Sequence, residues 1–185
     1  MTDQKPEISH QDLLDAIRSA TVEVMSTMLS MDAPTEELLN PQMAGSGPAS
    51  GLIALIGFAG PWSGTGSLAC TADFACKMSS KFLMAEYEAV NDEVLDAIAE
   101  ITNMILGNVK TSIEQRVGAM GLSTPTVIFG RNFQTRSART HEWTGLRFHC
   151  GSDVLDVQVC LVQNTDPATQ KSLRPGFQFP HMLQI

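Results

Sequence analysis

Positive charge is scarce in this sequence: 12 Lys and Arg stand against 20 Asp and Glu, a formal net charge of -8 at pH 7. A phosphate backbone would be repelled overall, so nucleic acid is not an expected partner, whereas a basic patch on another protein would be attracted. Long apolar runs are missing too. The best, Gly51–Ala59, has the length of a strand and falls well short of the roughly 20 residues that a helix needs to cross a bilayer. No membrane contact is expected. The opening MTDQKPEISHQDLLDAI is polar and acidic where a secretory leader would be basic and then apolar. Cys70, Cys76, Cys150 and Cys160 form no Cys-x-x-Cys pair, so reduced core thiols in a cytoplasmic protein are expected. His10, His141, His149 and His181 are scattered without ligand spacing, so no metal site is expected. The glycines of GFAGPWSGTGS lack a following Gly-Lys-Ser/Thr and lead into a strand, which makes them turn glycines and not a phosphate-binding loop.

What remains is a chain of 185 residues, 43% hydrophobic and 17% charged, which fits one domain with a substantial core and a surface apolar enough to favour an oligomer. Helical spacing of Leu13, Ile17, Ala20, Val24 and Met28 predicts a helix over Ile8–Met31, with Ser9 and Asp12 as a capping box. Ala33–Ser50, rich in proline and glycine, reads as loop. Gly51–Ala59 and Thr65–Thr71 read as a hairpin around Gly60-Pro-Trp-Ser-Gly64. A helix over about Phe74–Glu86 follows, capped by Thr71 or Asp73, and then a long helix from Asp92 to about Gln115, capped by Asn91. Three strands close the chain: Thr124–Phe129, Thr144–Cys150 and Val154–Gln163. Sequential antiparallel strands with interposed helices predict an α+β sandwich, an antiparallel sheet with long helices on one face. The domain core spans about residues 8–163 and 164–185 read as a tail.

One stretch of the long helix stands out. Glu100-Ile-Thr-Asn-Met-Ile-Leu-Gly-Asn108 carries Glu-x-x-Asn, a pattern that also occurs at Glu37–Asn40 and Glu88–Asn91. Asn40 runs into Pro41, which pushes it out of helical geometry, and Asn91 has the job of a cap. Only the third copy lies inside a strong helix. At about 100° per residue, Val94, Leu95, Ile98, Ile101, Ile105, Leu106 and Val109 fall on one side. Asp96, Glu100, Asn103 and Gly107 fall on the other as one ridge, with Lys110 following. A solvated face is the default reading of such a ridge. Against it, asparagine and glycine are both poor residues for a helix interior, and a missing side chain beside an amide is what a close-docking partner needs. Leu14-Asp-Ala-Ile17 recurs as Leu95-Asp-Ala-Ile98, so if the two helices are related, Ser19 and Val22 stand where Glu100 and Asn103 stand, and the first helix lacks the pair.

The run Asn91-Asp-Glu-Val-Leu-Asp-Ala-Ile-Ala-Glu-Ile-Thr-Asn-Met-Ile-Leu-Gly-Asn-Val-Lys-Thr111 resembles the signature helix of the CheX-type phosphatases, in the CheC/CheX/FliY group of chemotaxis proteins. The hairpin, the helix with Met78 and Phe82, and the Pro125–Gly130 strand follow in the order that group shows. The resemblance implies a phosphatase acting on the phosphoaspartate of a CheY-like response regulator. It implies that Asn103 orients the attacking water, that Glu100 pairs with the regulator's active-site lysine, and that Mg²⁺ belongs to the regulator, with no cofactor in this chain. Asp96, Gly107 and Lys110 would line the docking surface. A single pair per chain is the CheX pattern, and it implies a homodimer, with Gly130–Glu142 as a contact segment. Phe177 and Phe179 in the tail could serve as an extra docking element. The alternative is a non-catalytic receiver-binding scaffold or switch module of the same fold.

Overall fold

The structure is a computed structural model, and it describes residues 7–32, 34–39, 50–131 and 142–164. Alternation at period two decides which way the sheet faces. In β2 (Ser50–Ala59), Leu52, Ala54, Ile56 and Phe58 are buried together with Leu68 and Cys70 of β3 (Trp62–Thr71). Leu146 and Phe148 of β6 (Thr144–Cys150) and Leu155, Val157 and Val159 of β7 (Asp153–Gln163) complete the same apolar face. With β1 (Thr35–Leu38) and β4 (Gly121–Leu122), all pairings are antiparallel, and the strand order is β1-β6-β7-β3-β2-β4, with β5 (Thr126–Arg131) also on β2. The helices α1 (His10–Thr27), α2 (Ala72–Leu83) and α3 (Asp92–Val117) bury their apolar flanks in the one core cluster against that face. This is the expected α+β arrangement. No helix among the described residues is long and apolar enough to cross a membrane.

Caps fix the helix ends as the sequence predicts. Ser9 and Asp12 form the capping box on α1, with the Ser9 N–H donating to Asp12 Oδ2 at 3.0 Å and the Asp12 N–H to Ser9 Oγ at 3.1 Å. Of the two residues proposed to cap α2, Thr71 does so, accepting from the Phe74 N–H. Asn91 caps α3, its Oδ1 accepting from the Val94 N–H at 2.9 Å. The start of α1 is tied to the end of α3 by Arg116 Nη1 and Asp12 Oδ1, 2.8 Å apart.

Several boundaries differ from expectation. Within the stretch read as loop, Thr35–Leu38 is a strand, β1, paired with β6. Its four residues are all exposed, so no period-two pattern marks it, and pairing with a distant strand defines it. The two-residue β4 (Gly121–Leu122) is likewise defined by its pairing to Phe58 and Ala59. The hairpin is tighter than expected, with β3 starting at Trp62. Helix α2 stops at Leu83, three residues early, because Met84 turns into the left-handed region at φ 53°. Helix α3 runs two residues further, to Val117, and ends at Gly118, whose φ of 90° suits glycine. Most of Gly130–Glu142, and the tail from residue 165 on, lie outside the described residues.

The seat of α3 on the sheet is set at Gly66 of β3. A Cβ there would stand 2.8 Å from Leu106 Cδ1 and 2.9 Å from Phe58 Cε2. Leu106, on the buried side of α3, therefore occupies the room that this residue leaves. Gly66→Ala is expected to cost about 1–3 kcal/mol by overpacking, and Leu106→Ala about 2–5 kcal/mol by leaving a cavity. The double variant should cost clearly less than the sum, because the added methyl fills part of the vacated space. Urea unfolding of the four proteins measures this, and strict additivity would show that the two residues do not share the contact.

Candidate functional site

Every apolar position of α3 that projects toward the sheet is buried: Val94, Ile98, Ile101, Ile105, Leu106, Val109 and Ile113. The helix is thereby held in one rotational setting, and Asp96, Glu100 and Asn103 are all exposed on its outer side. Glu100 and Asn103, three apart, are surface neighbours with Cβ atoms about 5–6 Å apart. Neither of them, nor Asp96, makes a hydrogen bond or ion pair within the described residues. By contrast Thr102, one residue from Asn103, is buried and donates its hydroxyl to the Ile98 carbonyl at 2.7 Å. The helix thus spends its buried polar group internally and leaves the carboxylate and carboxamide of the ridge free for something outside.

Gly107 is half-buried, and a Cβ there would meet nothing nearer than Leu122 Cδ1 at 4.0 Å. The fold therefore has room for alanine and does not require glycine at this position. Lys110, expected to line the docking surface, is half-buried and paired within its own helix. Its Nζ lies 2.8 Å from Glu114 Oε2, and Glu114 Oε1 also accepts from the Met120 N–H at 2.6 Å. Glu114 thus holds the chain where α3 ends, with Lys110 as its ion-pair partner. The hydrogen bond from Lys110, and then that from Met120, hold the Glu114 carboxyl below the usual range.

The other two Glu-x-x-Asn copies resolve as expected in part. Asn91 is the α3 cap. Glu37 lies in β1, where its Oε1 is 3.4 Å from His149 Nε2, and Asn40 lies outside the described residues. On α1, Ser19 is exposed and Val22 packs against the core, so that helix presents no such pair. The cysteines are free, and burial pushes the Cys70 thiol up to about 12 and Cys150 up to about 11, so both are protonated at neutral pH. Among the described residues no group of three or more His, Cys, Asp or Glu could hold a metal ion.

Sequence reading missed one part of the site. Beside Glu100 lies an open groove of about 500 Å³, lined by Phe82, Leu83, Tyr87 and Ala97 and by the carboxylates Glu93, Asp96 and Glu100. The available signal is that Leu83 and Met84 extend an apolar run past the point where the periodicity of α2 (Phe74, Ala75, Met78, Phe82) has turned away from the core.

Comparison with known proteins bears on this arrangement. The family model described as chemotaxis phosphatase CheX matches residues 52–149, which run from β2 into β6 and contain all of α3. Among solved structures, a CheC-like superfamily protein from Shewanella sp. PV-4 aligns with a TM-score of 0.70 and 21% identity over 82% of this chain and 97% of that one. The chemotaxis protein CheX from Vibrio vulnificus aligns with a TM-score of 0.69 and 20% identity over 84% and 100%. A complex of CheX with CheY, BeF₃ and Mg²⁺ from Borrelia burgdorferi contains a chain that aligns with a TM-score of 0.67 and 21% identity over 84% and 99%. At these identities the shared property is the fold. No curated protein matches the sequence.

The Glu114 anchor makes a prediction that is independent of activity. A carboxyl whose folded-state pKa is lowered stabilises the fold above its unfolded value, near 4.5, and loses that contribution as pH falls through the folded value. Glu114→Gln should therefore flatten the decline in stability below about pH 4.5 while lowering stability at neutral pH. Denaturant titrations at neutral and acid pH measure this, and parallel curves for the two proteins would remove Glu114 from the acid response.

Proposed function

The chain belongs to the CheX family of chemotaxis phosphatases, and from that premise we propose that it hydrolyses the phosphoaspartate of a CheY-like response regulator, using Glu100 and Asn103. The observation that carries the proposal is the uncommitted pair itself: a carboxylate and a carboxamide, exposed side by side in mid-helix on a rigid face, with no partner among the described residues.

Acyl phosphate hydrolysis asks little covalent help from a phosphatase; positioning and electrostatics carry it. The Asn103 carboxamide offers one acceptor and two donors. Inserted beside the phosphoaspartate, its oxygen accepts from a water and holds that water in line with the phosphorus, so that the attack no longer has to find its orientation. Glu100 pairs with the regulator's lysine as a charge-assisted hydrogen bond, and this fixes the depth and angle at which Asn103 enters. The surrounding carboxylates Glu93 and Asp96 add attraction for that basic side chain. The magnesium ion of the reaction belongs to the regulator. We propose further that the chain works as a homodimer with one site per protomer, because α1 lacks the pair.

Gly107 supports the reading from the steric side. Since the fold leaves room for a side chain there, the glycine is explained by what approaches the ridge from outside. Gly107→Ala should stabilise the isolated chain by up to about 1 kcal/mol through helix propensity and yet lower kcat/KM toward the phosphorylated regulator. Equal or higher kcat/KM would remove Gly107 from the docking surface.

The direct test follows loss of phosphate from an acetyl-phosphate-charged CheY-type receiver. Asn103→Ala should lower kcat by about 10²-fold or more and leave binding nearly unchanged. Glu100→Gln should lower kcat/KM by at least about tenfold. Acceleration by Asn103→Ala equal to that by the parent protein sinks the catalytic reading. A protein that binds the receiver but never accelerates phosphate loss would instead be a non-catalytic receiver-binding module.

A further inference from the structure

The α2–α3 corner carries apolar surface that the fold does not need. Leu83 is 40% exposed and Met84 93%. Met84 also occupies the left-handed region, at φ 53°, where it closes α2 by donating its N–H to the Ser80 carbonyl. The Ala85 N–H reaches the same carbonyl at 3.2 Å. Glycine or asparagine is what this turn favours, because a Cβ crowds the backbone there. A methionine at this point is disfavoured twice, by its backbone and by its solvation, and packing within the described chain offers no return.

The groove beside it is rigid. The Tyr87 N–H donates to Ser80 Oγ at 3.0 Å and its hydroxyl donates to Glu93 Oε2 at 2.8 Å, so the ring is held at both ends. Phe82 and Tyr87 rest on the core cluster. The opposite rim is acidic, with Asp96 and Glu100, and no cation lines the groove. Glu100 belongs to both this rim and the ridge, so the two surfaces are continuous.

We propose that the groove of Phe82, Leu83 and Tyr87, with Asp96 and Glu100 and with the exposed Met84 that follows Leu83 in the chain, is a specificity site that seats an apolar side chain flanked by lysine or arginine on the receiver. The proposal deepens the phosphatase reading and rests on it for the identity of the partner. Charge complementarity and continuity with the ridge favour the receiver over other occupants, and the flexible thioether of Met84 suits an adaptable contact.

Met84→Gly and Leu83→Asp test the proposal. The first relieves the left-handed backbone and the second changes an exposed position, so both should melt no lower than the parent within a few degrees. Two readouts are needed: turnover of acetyl-phosphate-charged CheY-type receivers from the same organism, and binding of the same receivers in beryllofluoride form. Met84→Gly should raise KM and the dissociation constant by about fivefold or more, and Leu83→Asp by about tenfold or more. The effect should fall on KM and not on kcat, the reverse of Asn103→Ala. Unchanged binding and KM in both variants overturns the specificity site while leaving the phosphatase reading intact. Weakened binding without any turnover by the parent protein keeps the site and removes the phosphatase reading. If the parent binds none of the receivers, or if the variants alter only self-association in sedimentation, the assignment to a receiver is wrong.

Discussion

The seating of α3 on the sheet is the contact from which the other features follow. Gly66 leaves a gap between β3 and the helix, and Leu106 fills it. With Ile98, Ile101 and Ile105 also fully buried, the helix has one rotational setting. At 100° per residue, that setting alone decides where the polar positions point. The direction of Glu100 and Asn103 is therefore a result of core packing, and no interaction of their own is needed to aim them. A site that relies on position benefits from being built this way, because a helix packed along its length varies less than a loop.

Charge around the ridge is arranged to stay available. Lys110, the cation of α3 on the same side, is bound to Glu114, which also takes the Met120 N–H. Ten residues separate Lys110 from Glu100, about 15 Å along the axis, beyond the screening distance at physiological salt. The carboxylates near the groove are thus left unneutralised on their own helix, except that Glu93 accepts the Tyr87 hydroxyl. An approaching basic group meets acid, amide and apolar surface in sequence along one face.

Much of this was legible in the sequence, where periodicity and capping carry the information. The presence of α1 and α3, the caps Ser9 and Asn91, and the outward ridge follow from local pattern, whereas α1 ends at Thr27, short of the expected Met31, and α3 runs on to Val117. The CheX resemblance rests on that ridge and on the order of elements, and the family match covers the same region. What local pattern does not hold is anything decided at a distance. Strand β1 consists of exposed residues and exists because β6 pairs with it, with Glu37 near Arg147 and His149. The second partner of Glu114, the Met120 N–H, depends on the return of the chain beyond the end of the helix. The groove needs α2 and α3 brought together, and the stop at Met84 breaks the usual preference for glycine in that turn.

Glu100 and Asn103 hold no interaction within the described chain, and this separates folding from activity. Among the described residues no hydrogen bond or ion pair depends on either side chain, which leaves helix propensity, a matter of only tenths of a kcal/mol among most residues. A variant that has lost the amide will express, fold and melt like its parent. Selection or screening for abundance is blind to such a loss, so under the proposed function only a readout of the partner's phosphorylation detects it. The reverse holds at Leu106 and Gly66, where damage would first show as less protein and the surviving molecules would still carry a competent pair.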